Sequence, residues 1–143
     1  ASRGDDIAAI ARLGAGIDAT SGVILYPEGT RFTPAKRAAR LDAMRREGSP
    51  FATRAAALQH VLPPRLRGPL DARPDADVVF IEHVGMDGAA SLANVLAGGL
   101  VGRTLRVRAR RFAAAAIPAD DRAGWLYERW AELDTWVGEA ARG

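Results

Sequence analysis

The chain has 143 residues, enough for one domain with a core and too few for two comfortable ones. At 48% hydrophobic and 26% charged residues it reads as globular, and with no cysteine it has neither a disulfide framework nor a thiolate metal site. No apolar run approaches the ~20 residues that cross a bilayer, and no signal-peptide pattern opens the sequence, so the chain is expected to be soluble or peripheral.

The formal net charge is +3, and Lys36 is the only lysine. So much arginine beside so much alanine and glycine resembles the coding bias of a GC-rich genome, so distribution says more than number. Residues 31–73 hold ten Lys/Arg (Arg31, Lys36, Arg37, Arg40, Arg45, Arg46, Arg54, Arg65, Arg67 and Arg73) against three acids (Asp42, Glu47 and Asp71). The part beyond Pro118 is acidic. A basic middle suggests an anionic partner such as phosphate, nucleic acid or a membrane surface.

In chain order, Asp5 and Asp6 precede Ile7, Ile10 and Leu13 at helical spacing, with Gly14 and Gly16 as stop signals. GVILY, residues 22–26, is too short for a core helix and predicts a strand buried on both faces, as in a parallel or mixed sheet. Thr33 predicts a helix cap with Pro34 at the first position, the helix running to about Glu47 before Gly48. PFATRAAALQ predicts a second helix, and HVLPP a short strand broken by its prolines. DVVFIEHV, residues 77–84, predicts a strand, and residues 89–97 a short helix ended by Gly98 and Gly99. Leu105, Val107 and Ala109 alternate with Arg106, Arg108 and Arg110, which predicts a half-buried strand with one cationic face. Leu126, Trp130, Leu133 and Val137, flanked by Trp125 and Trp136, predict an amphipathic helix. Strands alternating with helices make an α/β chain, with no internal repeat or low-complexity linker.

The loop after GVILY is the first candidate site, because ligands gather at the carboxyl ends of strands in α/β sheets. Gly29 lets backbone approach a ligand closely, Thr30 offers a hydroxyl, and Arg31 offers a two-pronged donor that fits phosphate oxygens. Glu28 could orient that arginine or a substrate hydroxyl. On these four residues alone, a turn with Glu28 and Arg31 solvated or paired is the better reading.

The wider sequence shifts the balance. YPEGTRFTPAKR, residues 26–37, closely resembles the Glu-Gly-Thr-Arg motif of the glycerolipid acyltransferases, the lysophosphatidic acid acyltransferase family. HVLPPRLRG, residues 60–68, resembles the later leucine-proline-arginine motif of the branch whose first loop also reads Glu-Gly-Thr-Arg-Phe-Thr. LRVRARRF and IPADDRAGWLYERWAELD are similar to the closing strand and helix of that branch. The similarity covers essentially the whole chain, in order.

The resemblance implies an α/β fold, a mixed sheet flanked by helices, with residues 1–143 forming one acyltransferase domain that lacks its first half. It implies transfer of a fatty acyl group from acyl-CoA or acyl-carrier protein to 1-acyl-glycerol-3-phosphate, giving phosphatidic acid, or to another lysophospholipid. Glu28, Gly29, Thr30, Arg31, Pro64 and Arg65 are the implied substrate-binding residues. No metal or cofactor is implied beyond the acyl donor. The implied partners are the two substrates and an anionic membrane surface, and the implied place is the cytoplasmic side of the membrane, peripheral or anchored through a missing N-terminal segment.

The family's catalytic His-x4-Asp motif lies upstream of the Glu-Gly-Thr-Arg loop and is not in this chain. There the histidine removes the acceptor hydroxyl's proton as it attacks the thioester carbonyl, and the aspartate fixes the histidine's tautomer. His83 and Asp87 are one residue short of that spacing, and His60 before VLPP lacks it altogether, so no catalytic residue is assigned. A strand histidine satisfied by local hydrogen bonds is the better reading of His83. The arginine-faced strand with the tryptophans could bind nucleic acid by backbone tracking and stacking. A charged edge strand and a tryptophan-rich core explain the same residues better, and no nucleic acid is expected. A basic module binding anionic lipid without catalysis is the remaining alternative.

Overall fold

The computed structural model describes residues 18, 20–65, 73–86 and 92–140. The expected helix over residues 5–13, Arg67 and Asp87 lie outside the described residues. Helix α1 spans Pro34–Arg46 and starts as expected, with the Thr33 hydroxyl accepting the Lys36 N–H at 3.2 Å and Pro34 in the first turn. It ends at Glu47, and Gly48 follows with φ of +63°, which favours a residue without Cβ. Leu41 is its one fully buried residue, so α1 lies largely on the surface. Helix α2, Ala52–Ala57, is shorter than expected.

Strand β1, Val78–Val84, pairs antiparallel with β2, Arg106–Phe112, in the register Val78↔Phe112, Glu82↔Arg108 and Val84↔Arg106. The short helix α3, Leu92–Leu96, lies between them in sequence and gives way to Gly98 at φ of +81°. A 3₁₀ turn, Ala114–Ala116, then leads to α4, Arg122–Ala140. Asp121 starts α4 by accepting the Gly124 N–H at 2.8 Å on its carboxylate.

The chain is therefore α/β, but among the described residues its sheet is this antiparallel pair and not a mixed sheet. Two expected strands are absent from it. Residues 22–26 form no strand, with Ile24 79% and Tyr26 81% exposed, because no neighbouring strand lies beside them among the described residues. Residues 61–65 are buried up to Pro64 but form no ladder, since Pro63 and Pro64 bring no N–H. Other elements hold that segment. One carboxylate oxygen of Asp134 on α4 accepts the N–H groups of Gln59, His60 and Val61, at 2.9, 2.6 and 3.1 Å. The Trp130 indole N–H donates to the Leu62 carbonyl at 3.0 Å.

The core forms where α4 meets the inner sheet face and the 58–62 segment. It contains Leu41, Ala55, Leu58, Val61, Ile117, Trp125, Leu126, Tyr127 and Trp130. Phe80 meets Trp130 edge-on at 5.8 Å, Phe112 meets Trp125 edge-on at 5.2 Å, and Phe51 stacks on Tyr127 at 4.9 Å. The expected apolar face of the last helix is thus the central layer of the domain.

The sheet corrects the expected orientation of β2. Its arginine face points inward: Arg108 and Arg110 share parity with Phe112 and pair with Glu82, which is 4% exposed, and Arg110 also pairs with Glu132 of α4. The Arg108 guanidinium lies over the Trp136 ring at 4.4 Å. The apolar residues face out, with Ile81 66% and Val107 58% exposed. Trp125 and Trp130 pack in the core. These arginines do not cover an edge for solubility, and with Glu82 among them they offer no bare cationic track to a nucleic acid.

Candidate anion-binding site

The two loops singled out in the sequence fold against each other. The Arg65 N–H donates to the Pro27 carbonyl at 2.9 Å, and Leu62 N–H donates to the Glu28 carboxylate, joining the first loop to the second. Between these contacts Gly29 makes the turn, with φ of +67° and its N–H on the Tyr26 carbonyl at 2.8 Å. A Cβ at Gly29 would sit 3.2 Å from Cζ of Arg65, so the guanidinium lies against the bare glycine backbone. The dihedral is what favours glycine here; the exposed Arg65 side chain would have to give by only a few tenths of an ångström to admit a Cβ.

Glu28 is half-buried, and burial pushes its carboxyl above the usual glutamate range against the opposing pull of the Leu62 N–H and the Arg40 charge. It braces the loop pair through Leu62, not through Arg31. The Thr30 hydroxyl accepts from the Lys36 ammonium at 2.7 Å, and that ammonium reaches back to the Arg31 carbonyl at 3.4 Å. Lys36 is therefore drawn over the loop from the first turn of α1. Arg31 and Arg65 are exposed and have no carboxylate partner among the described residues. Pro64 is buried and fixes the backbone that carries Arg65.

Arg40 is the residue that the sequence reading missed as a site component, having counted it only as charge. Its Nη1 donates to the Pro63 carbonyl at 2.6 Å and its Nη2 to the Glu28 carbonyl at 3.0 Å. Burial lowers its pKa first, and the neighbouring Arg65 charge lowers it further. One turn earlier, Arg37 donates to the Leu58 and Ala56 carbonyls at 2.5 and 2.8 Å. The available signal was spacing: arginines three apart on a helix share a face, and that face had to meet the segment leading into VLPPR.

The arrangement supplies two guanidinium groups without a carboxylate partner among the described residues, an ammonium and a glycine turn, a set suited to oxygen atoms of a phosphate. His83 is exposed on the outer sheet face opposite Val107, and the His60 ring lies against α4, where a Cβ at Gly138 would be 2.6 Å from its Nε2. Among the described residues no group of His, Cys, Asp and Glu could hold a metal ion, and no helix is long and apolar enough to cross a membrane. Comparisons of the chain with protein-family models, with curated proteins and with solved structures gave no match in any of the three.

Proposed function

We propose that the chain is the substrate-holding part of a glycerolipid acyltransferase domain. In this reading the loop pair holds the phosphate of 1-acyl-glycerol-3-phosphate, and an acyl group passes from acyl-CoA or acyl-carrier protein to the acceptor hydroxyl. The observation that carries it is the union of the two motifs: segments more than thirty residues apart meet through Arg65 N–H and the Pro27 carbonyl, with Arg31 and Arg65 having no carboxylate partner among the described residues. Holding the phosphate positions the hydroxyl for attack, which is worth orders of magnitude in rate only when a base is also present. The base belongs to the His-x4-Asp block that the resemblance places upstream. Peripheral association with the cytoplasmic side of an anionic membrane belongs to the same reading.

The test has two arms. Chain alone, incubated with acyl-CoA and 1-acyl-glycerol-3-phosphate, should release neither thiol nor phosphatidic acid above background. Enzyme-dependent phosphatidic acid that vanishes in a folded His83→Ala variant would overturn the assignment and make His83 the base. In the second arm, glycerol-3-phosphate should bind saturably and shift the Gly29 and Arg65 amide resonances; a flat titration would sink the phosphate-site reading. An in-frame His-x4-Asp in the DNA immediately upstream is the corresponding genetic observation.

A further inference from the structure

Arg40 is an odd choice for a purely structural clamp. On the inner sheet face the chain neutralises its inward arginines with carboxylates, as Glu82 does for Arg108 and Arg110, whereas on α1 Arg37, like Arg40, is held by carbonyls. At Arg40 the hydrogen-bond acceptors are the neutral carbonyls of Glu28 and Pro63, and a second guanidinium, Arg65, stands close enough to repel it. Glu28 offsets part of that charge, but its carboxylate is half-buried and already engaged by Leu62 N–H. Bringing like charges together costs stability unless an anion relieves it. A planar fork with donors in fixed directions suits the clamp, because the two carbonyls come from separate segments and an ammonium imposes no angle between them.

We propose that Arg40 is the positioning residue of the anion site: by bridging the Glu28 and Pro63 carbonyls it fixes Arg65 against Gly29 and adds a positive charge behind it, so that both loops are set for an oxyanion before it arrives. The inference rests on the anion-binding reading of the loop pair and is independent of which acyl acceptor carries the phosphate. It assigns no contact between Arg40 and the ligand; Arg40 acts through Arg65 and the Glu28–Arg31 turn.

The experiment uses the full chain, inorganic phosphate and glycerol-3-phosphate as probes, and NMR as the readout. In the unliganded protein the Arg40 guanidinium protons should exchange with water more slowly than those of Arg31 and Arg65. In Arg40→Met the Arg65 and Leu62 amides should lose exchange protection, while the Trp130 indole resonance and the α4 amides stay in place. Affinity for both probes should fall about tenfold or more, the scale expected when a misplaced group disrupts a preorganised site. Arg40→Lys, which keeps the charge, should recover only a minor part of that loss. Full recovery in Arg40→Lys would mean that charge alone matters and would overturn positioning. So would unchanged amide protection with affinity within about twofold of the original. If Arg40→Met does not fold, guanidinium exchange in the unsubstituted chain decides: Arg40 protons exchanging as fast as those of Arg31 would overturn the clamp. Failure of glycerol-3-phosphate to bind the unsubstituted chain would sink the phosphate reading and with it the site that Arg40 is proposed to position; binding of inorganic phosphate alone would remove the lipid-acceptor reading and leave the positioning role standing.

Discussion

Two groups of arginines in this chain have opposite surroundings. On the inner sheet face Arg108 and Arg110 meet Glu82, and Arg110 and Arg129 meet Glu132. At the loop pair Arg40 is held by carbonyls, and Arg31 and Arg65 have no carboxylate at all among the described residues. The first group uses its charge inside the protein; on the proposed reading the second keeps it for an anion. The two groups differ both in the acids within reach and in exposure: Arg108 and Arg110 are half-buried beside Glu82, whereas Arg31 and Arg65 are exposed.

The largest break in that comparison should come from Glu82→Gln. It removes the buried anion between two half-buried guanidinium groups, and losing one partner of such a group costs about 3–5 kcal/mol. The denaturant midpoint should fall accordingly, and an unchanged midpoint would show that solvent already screens the network. Arg31→Lys should leave that midpoint where it is. Assayed in a version carrying the upstream catalytic block, it should weaken use of the lysophospholipid acceptor more than use of the acyl donor, since lysine keeps charge but loses the fork. Equal losses for the two substrates would count against Arg31 as a phosphate ligand.

The smallest effect sharpens the comparison through pH. The Glu28 carboxyl is raised by burial, so its folded-state pKa lies above its unfolded one. Its contribution to stability is then fully present below the unfolded value and is lost as pH rises through the folded value. Glu28→Gln keeps an acceptor for Leu62 N–H and should flatten that decline, leaving the variant relatively more stable at neutral pH. Parallel pH–stability curves for the two proteins would show that the carboxyl is not desolvated.

Much of the framework was legible because it rests on local rules. Thr33 and Pro34 mark the start of α1, Gly48 marks its end, and the spacing of Leu126, Trp130, Leu133 and Val137 identifies α4. The inward side of β2 was not legible from alternation alone, because a period of two separates faces without saying which is buried. Phe112 did carry the answer, since it has the arginines' parity and an aromatic belongs with the core. GVILY and HVLPP have strand composition, yet a strand needs a neighbour, and pairing is a property of distant residues. The candidate residues Glu28 to Arg31, Pro64 and Arg65 were picked out through their motifs, and the structure adds that the two loops are neighbours. Arg40 escaped because its partners are backbone carbonyls, which leave no mark in side-chain chemistry.

The anchoring of the 59–62 segment by α4 also bears on synthesis. Asp134 lies 73–75 residues beyond the N–H groups it collects, and Trp130 lies 68 residues beyond the Leu62 carbonyl. Ribosomes add about 5–20 residues per second, so both loops leave the ribosome seconds before the helix that fastens the second of them. During that interval the nascent chain carries its cationic loops without their fixed spacing, at a time when ribosomal RNA is the nearest large polyanion. On the anion-binding reading, formation of α4 is what gives a generally basic segment its fixed spacing, so selectivity would follow this helix and not the loops themselves.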